Sequence, residues 1–220
     1  MSPDDAFLQD IVNDPDDDTV RLIYADWLTE QDDPRGEFIR VQVQLGRLGQ
    51  RDPRWPELNQ RQLDLLQAHQ EEWARPLRGL VRRVRFRRGF PDDIELTVQE
   101  FVDRADELLR VAPFAQVHLL KASSQLYLLA DCEVLSRVRG LALSYSYLND
   151  GAVQALALLP QLEGLRVLLL DHNFIRGPGA EALARSPYLS GLTRLDLRGN
   201  QITATGRQAL VDRFGPAIHL

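Results

Sequence analysis

The sequence predicts an α/β protein in which a small helical domain, residues 1–78, caps a short stack of parallel strands and helices, residues 79–220. Two observations lead to this fold class. Apolar residues recur every three to four positions in the first part, as in amphipathic helices, whereas the second part repeats one apolar pattern at a fixed step of 27 residues. The chain has 220 residues, 44% of them hydrophobic, which is enough for a buried core in each part.

The first 78 residues are predicted to form four helices. The acidic run 16–18 and Asp33 offer N-caps for the second and third helices, and Pro34 suits the first helical position. A proline-rich break at 53–56 precedes the fourth helix. The second helix is expected to bury an apolar stripe made of Val20, Ile23, Tyr24, Trp27 and Leu28.

The second part contains two complete copies of the pattern L-x-x-L-x-L-x-x-N-x-[LI], at 165–175 and 192–202. A third copy, 27 residues earlier at 138–148, carries Ser146 in place of the asparagine. A helical segment follows each copy at the same step. Two weaker strand cores precede these copies and consist of Val117 with Leu119 and of Val84 with Phe86.

Physical reasons explain this pattern. A single strand-plus-helix unit cannot bury its apolar side alone, whereas stacked units share one core, so the leucines of the pattern face that core. The short amide side chain of each asparagine can bond backbone groups at the turn that leaves the strand, and successive asparagines then form a ladder. The run 214–220 is expected to be a truncated last strand.

The repeated pattern resembles the ribonuclease-inhibitor-like class of leucine-rich repeats. The residues that carry the resemblance are Leu168, Leu170 and Asn173, with their counterparts Leu195, Leu197 and Asn200. The resemblance implies a solenoid of about five units. It also implies a protein partner and no catalytic activity, as in an adaptor or scaffold.

A second resemblance covers the N-terminal part. The stretch RLIYADWLTE at 21–30 and PRGEFIR at 34–40, with the later RGFP at 88–91, looks like the core motif of the repeat-companion domain. That domain occurs in some planctomycete and myxobacterial proteins and has no established activity. The resemblance therefore implies a bacterial protein and an architecture rather than a mechanism.

The strand face opposite the core is the default binding surface of this architecture. Because side chains alternate along a strand, the residues between the buried leucines point toward a partner. The predicted partner-binding residues are Arg83, Arg85 and Arg87 on the first strand, then Gln116, His118 and Leu120, then Gly140, Ala142 and Ser144, then Val167, Leu169 and Asp171, and last Arg194, Asp196 and Arg198.

The arginines at 83, 85 and 87 also suggest nucleic-acid binding as an alternative function, because a row of cations about 6.6 Å apart attracts phosphates. The competing interpretation is that they pair with the acidic N-terminal domain or with Asp92, Asp93 and Glu95. We favour pairing, since the formal net charge of −6 disfavours general affinity for nucleic acid.

An unrecognised enzymatic site in the N-terminal domain is the other alternative. A carboxylate pair such as Asp26 and Glu30, four residues apart on one helix face, can do acid–base work, but such side chains near arginine are more often surface ion pairs. The sequence has no phosphate-binding loop, nucleophile elbow or metal-ligand spacing, so no catalytic residue, metal or cofactor is predicted. This carboxylate pair belongs to a cluster of polar and aromatic residues, here called the N-terminal cluster: Tyr24, Asp26, Trp27, Glu30, Glu37 and Arg40.

Cysteine usage and hydropathy predict the compartment. Cys132 is the single cysteine, which excludes an intrachain disulfide, and its acidic neighbours disfavour a nucleophilic thiolate. No apolar run approaches the ~20 residues of a membrane helix, and the acidic N-terminus lacks a signal-peptide core. We therefore expect a cytoplasmic protein with no membrane partner.

Overall fold

The computed structural model describes residues 3–13, 17–112 and 114–220, and the chain divides into two compact units. The first, here called the helical unit, comprises Met1–Ile94 and Leu108–Phe114. The second, here called the repeat unit, comprises Glu95–Glu107 and Ala115–Leu220.

Four helices make up most of the helical unit, and both predicted N-caps are confirmed. The Asp17 carboxylate accepts a hydrogen bond from the amide of Thr19 at 2.7 Å, and that of Asp33 accepts one from the amide of Arg35 at 2.8 Å. Position 16 of the predicted capping run lies outside the described residues. The elements are α1 (Pro3–Asn13), α2 (Asp18–Glu30), α3 (Pro34–Arg47), α4 (Trp55–Trp73) and a short 3-10 helix (Arg75–Leu77).

The buried face of α2 differs from the predicted stripe at one position. Tyr24 and Leu28 are buried as expected, whereas Ile23 is 53% exposed. At 3.6 residues per turn, Ile23 lies about 120° around the helix from the direction shared by Tyr24 and Leu28. The prediction was therefore wrong for Ile23, because apolar character alone does not show which side of the helix faces the core. The cluster around α2 comprises Ile11, Tyr24, Ala25, Leu28, Ile39, Val43 and Phe90.

Two strands, β1 (Arg83–Arg87) and β2 (Phe90–Thr97), follow each other directly, and α5 (Val98–Val111) comes after β2. The two linking residues, Arg88 and Gly89, have φ angles of 52° and 86°, which suit a two-residue hairpin turn. A Cβ on Gly89 would lie 2.1 Å from Ile39 Cγ1, so only glycine fits there. Since β1 leads into a strand, the expectation that Val84 and Phe86 begin a strand-plus-helix copy was wrong.

Five parallel strands run through the repeat unit and pair in sequence order. Val117 pairs with Leu141, Leu141 with Leu168, Leu168 with Leu195, and Leu195 with Ile218. The 27-residue register is thereby confirmed from Leu141 through Leu168 to Leu195, whereas the first and last steps span 24 and 23 residues (141 − 117 and 218 − 195). The predicted short last strand is also present. The strands are β3 (Gln116–Leu120), β4 (Gly140–Ala142), β5 (Val167–Leu169), β6 (Arg194–Asp196) and β7 (Ile218–His219).

Helices return the chain between the later strands. They are α6 (Asp150–Ala157), α7 (Gly177–Arg185) and α8 (Ala204–Phe214), at the predicted 27-residue step. Between β3 and β4, three 3-10 helices take this place: Ala122–Ser124, Leu126–Asp131 and Glu133–Arg137. The unit that begins at β3 therefore departs from the strand-plus-α-helix form of the later ones.

The predicted asparagine ladder is confirmed. Asn173 Nδ2 donates to the carbonyls of Leu143 and Leu170 at 2.9 Å, and its Oδ1 accepts from the amides of Ser146 and Leu148 at 3.1 and 2.9 Å. One repeat later, Asn200 Nδ2 donates to the carbonyls of Leu170 and Leu197, and its Oδ1 accepts from the amide of Ile175. Each amide thus joins its own turn to the preceding repeat and satisfies buried backbone groups.

Among the described residues, none of the helices combines the length and the apolar character needed to cross a membrane.

Candidate partner-binding surface

The outward residues of the repeat-unit strands form rows across the sheet, while the leucines between them, such as Leu168 and Leu195, are fully buried. We call the outward set the strand face. The first row contains Gln116, Gly140, Val167 and Arg194, and the second contains His118, Ala142, Leu169 and Asp196. The residues two positions further along the strands complete the strand face: Leu120, Ser144, Asp171 and Arg198.

Small and apolar side chains occupy the middle of the strand face. Val167 and Leu169 are half-buried, so each offers apolar surface. Gly140 and Ala142, which were expected to be available to a partner, are buried. A hydrogen or a methyl group projects too little to rise above its neighbours, and at Gly140 the Gln116 side chain fills the space, since a Cβ there would lie 2.9 Å from Gln116 Cγ.

Asp196 anchors two arginines at the end of the second row. Its carboxylate accepts hydrogen bonds from Arg198 Nε and Nη2 at 2.9 and 2.6 Å, and from Arg194 Nη2 at 3.4 Å. The hydrogen bond from Arg198 holds the pKa of Asp196 below its ordinary value. Asp196 is only 1% exposed, so a partner would meet the two guanidinium groups rather than the carboxylate predicted to face it.

The third row contains a hydrogen bond between neighbouring repeats. The Ser144 hydroxyl donates to Asp171 Oδ1 in the next repeat. Leu120, at the other end of this row, is exposed. The apolar middle of the strand face therefore has hydrogen-bonded polar neighbours: Ser144 with Asp171, and Asp196 with Arg198.

The arginines of β1 lie in the helical unit, and all three are exposed. Arg85 lies 3.4 Å from Asp93, and Arg87 lies 3.9 Å from Asp92. Both contacts agree with the pairing interpretation. They reduce the positive charge that a phosphate backbone would meet.

Asp92 is a buried carboxylate without full compensation. It is 8% exposed, and within the described part of the chain no hydrogen-bond donor reaches its Oδ2. Burial raises the pKa of Asp92 to about 6, against the opposing effect of Arg87 and Arg21. Arg87 Nη1 lies 3.9 Å from Asp92 Oδ2, which is an ion-pair distance and not a hydrogen bond.

Two carboxylates of the N-terminal cluster, those of Asp26 and Glu37, form ion pairs. Asp26 contacts Arg40 at 2.7 Å, and Glu37 contacts Arg61 at 2.6 Å. The Tyr24 hydroxyl donates to Asp4, and Tyr24 stacks on Trp27 with ring centroids 5.9 Å apart. These contacts match the structural interpretation of the cluster, because each carboxylate named here is bound to a cation or a hydroxyl.

A patch of exposed rings lies just after β4 and β5, and sequence reasoning missed it. Tyr145 is 66% exposed and Tyr147 is 72% exposed. The Tyr145 ring stacks on His172 with centroids 4.4 Å apart, and Tyr147 lies beside Phe174 at 5.9 Å. We call these four residues the aromatic edge. The available signal was the 27-residue spacing within each pair.

The backbone explains how these rings come to the surface. Lys121, Tyr145 and His172 have φ angles of 56°, 54° and 53°, and Gly199, 27 residues after His172, has φ 71°. At Tyr145 and His172 this left-handed conformation ends the alternation of the strand: the ring at that position is exposed, whereas the next residue, Ser146 or Asn173, is buried. A Cβ on Gly199 would lie 2.5 Å from His172 Nδ1, so the imidazole packs directly against that glycine.

The described residues give little basis for metal binding or thiol chemistry. Over the described ranges, no three His, Cys, Asp or Glu side chains come together in a way that could hold a metal ion. Cys132 is buried, and burial raises the pKa of its thiol, which keeps it protonated at neutral pH.

Comparison with known proteins gives one positive result. A search of curated proteins returns no match. A family model described as "Leucine Rich repeat" matches residues 191–211, from the turn before β6 to the last part of α8. The repeat unit is thus similar to leucine-rich repeats over one of its strand-plus-helix copies.

Proposed function

We propose that this chain is a non-catalytic protein-interaction module that binds a partner through the strand face of its repeat unit. Leucine-rich repeats generally mediate contacts between proteins, and the repeated strands support the same use here. Arg83, Arg85 and Arg87 of β1, which lie in the helical unit, are proposed as separate partner contacts.

One observation supports this proposal most strongly. The strand face places half-buried Val167 and Leu169 beside two arginines whose guanidinium groups are held by Asp196. An apolar centre with arginines and a polar rim is the composition of protein–protein interfaces. Because the Asp196 hydrogen bonds fix both arginines before binding, less side-chain entropy is lost when a partner docks.

The resemblance to the repeat-companion domain supports two finer proposals. We infer that the helical unit is such a domain, and that the protein works in a bacterial cytoplasm.

The test compares two leucines. Leu169→Asp places a charge in the middle of the strand face, and Leu158→Asp places the same charge just after α6, at a side chain that is 68% exposed. Tagged full-length variants capture partners from a lysate of the source cells, with and without nuclease. We expect Leu169→Asp to lose the partner that the wild type and Leu158→Asp both retain.

Two results would contradict the proposal. Equal capture by Leu169→Asp and the wild type would move the binding surface elsewhere. Loss of all captured protein after nuclease treatment would favour the nucleic-acid alternative through Arg83, Arg85 and Arg87.

A further inference from the structure

We propose that the aromatic edge is a docking site for a proline-rich, extended segment of the partner protein. This inference rests on the proposed function, and it assigns the chemistry of one part of the partner. It concerns Tyr145, Tyr147, His172 and Phe174, all within the repeat unit.

The aromatic edge contributes little to the stability of the fold. Tyr145 and Tyr147 both adopt positive φ, at 54° and 57°, where a bulky L-residue is strained and glycine is not. Gly199 stands at the position of the last repeat that corresponds to Tyr145. Their rings also remain largely in water. Strained residues with exposed rings add little to folding and are typical of ligand-binding positions.

The rings offer flat surfaces at fixed positions. Tyr145 and His172 are nearly parallel, with 12° between their planes, so His172 supports one face of the tyrosine ring. Since Tyr145 is still 66% exposed, its other face and its edges are open to a ligand. Tyr147 and Phe174 form a second ring pair two residues further along the chain.

Charge at this edge selects the kind of ligand. Lys121 adds one positive charge and Asp171 one negative charge, while Arg194 and Arg198 are already bound to Asp196. A single-stranded nucleic acid needs stacked bases together with a row of cations for its phosphates. The balanced charge of the aromatic edge fits an uncharged ligand better.

Proline satisfies these requirements. Aromatic-lined grooves recognise proline-rich segments in the polyproline II conformation, which is preformed and loses little entropy on binding. Alternate residues of that helix are about 6 Å apart, so one such segment can present a proline to each of two neighbouring ring pairs. The backbone carbonyls of such a segment have no internal hydrogen bonds and can accept them from the tyrosine hydroxyls.

The experiment uses the full chain and labelled peptides. Fluorescence anisotropy measures the binding of a decaproline peptide, of a glycine–serine peptide of the same length, and of oligothymidine. We expect saturable binding of decaproline alone. The double variant Tyr145→Gly/Tyr147→Gly, which removes both rings and keeps the backbone unstrained, should weaken decaproline binding about ten-fold or more.

The matched control is Tyr127→Ala. Tyr127 is 73% exposed, like the rings of the aromatic edge, but it lies in the 3-10 helix Leu126–Asp131. This variant should bind decaproline like the wild type. Circular dichroism shows whether the double variant is folded, and if it is not, Phe174→Ala serves as the second variant with the same expected loss.

Three results would overturn the inference: decaproline binding that survives in the folded ring variants, no decaproline binding to the wild type, or oligothymidine binding that the same variants abolish. Any of these leaves the strand-face proposal standing if Leu169→Asp still loses its partner. If Leu169→Asp instead retains its partner and the wild type binds decaproline as expected, only the strand-face proposal is contradicted.

Discussion

The helical unit and the repeat unit each bury an aspartate near arginines, and they satisfy it in different ways. Asp196 in the repeat unit receives directed hydrogen bonds from Arg198 and Arg194. Asp92 in the helical unit is near Arg87 at 3.9 Å, and its Oδ2 has no hydrogen-bond donor among the described residues. A buried carboxylate costs free energy unless such bonds compensate it.

This difference shows which charges are held in place. In the repeat unit, directed bonds fix arginines and backbone turns, so the strand face keeps one shape before a partner arrives. In β1, Arg85 reaches Asp93 at 3.4 Å and Arg87 lies 3.9 Å from Asp92, whereas Arg198 makes two hydrogen bonds to Asp196, at 2.9 and 2.6 Å. The strand face is therefore the better candidate for a preorganised interface.

The largest expected effect tests the directed bonds themselves. Asn173→Ala removes the side chain that serves two buried amides and two buried carbonyls. We expect the free energy of unfolding to fall by about 3 kcal/mol or more, because several backbone groups lose their partners. Urea denaturation measures the loss. Asn200→Ala, at a less buried position, should cost less, and equal costs would argue against a ladder whose strength depends on burial.

Asp92→Asn should stabilise the protein above pH 6. The pKa of Asp92 is raised from 3.8 to about 6 in the folded state. The folded state therefore binds the proton more tightly, and stability falls as pH rises from about 4 to about 6. Removing the charge should recover about 2 kcal/mol at pH 8 and little at pH 4. Thermal unfolding at both pH values measures this, and a variant less stable at pH 8 would contradict the assignment.

Asp196→Asn should have the opposite sign. Because the pKa of Asp196 is lowered below 3.8, its contribution is present above that pH and is lost as pH falls through the folded-state pKa. We expect a loss of about 1–2 kcal/mol at pH 7, together with weaker partner binding as Arg194 and Arg198 become mobile. Chemical denaturation and binding titrations should change together. Unchanged partner affinity would separate these arginines from the interface.

The smallest expected effect concerns the aromatic edge. Tyr145→Gly should change the free energy of unfolding by less than about 1 kcal/mol, because relief of the positive-φ strain offsets the lost contact with His172. Differential scanning calorimetry of the full chain can resolve the shift. A loss well beyond that size would show that the Tyr145 ring supports the fold.

Periodicity explains what the sequence could predict. The 27-residue step placed Leu168 and Leu195 in one register and Asn173 and Asn200 in one ladder, because each repeat contacts its neighbours in the same way. The helix caps at Asp17 and Asp33 were equally local signals.

The sequence predictions failed at positions where a local backbone turn interrupts the alternation of apolar residues. Val84 and Phe86 alternate like a repeat strand, but the turn at Arg88 and Gly89 leads directly into β2. Tyr145 and its neighbours escaped notice because strand alternation stops at a left-handed residue, which apolar spacing does not reveal.

Hydrogen–deuterium exchange of the full chain, with and without the purified partner, tests the strand face most directly. We expect slower exchange in peptides that cover β5, β6 and the turns after them, and unchanged exchange in α6 and α7. Protection confined to α6 and α7, or to the helices of the helical unit, would contradict this prediction.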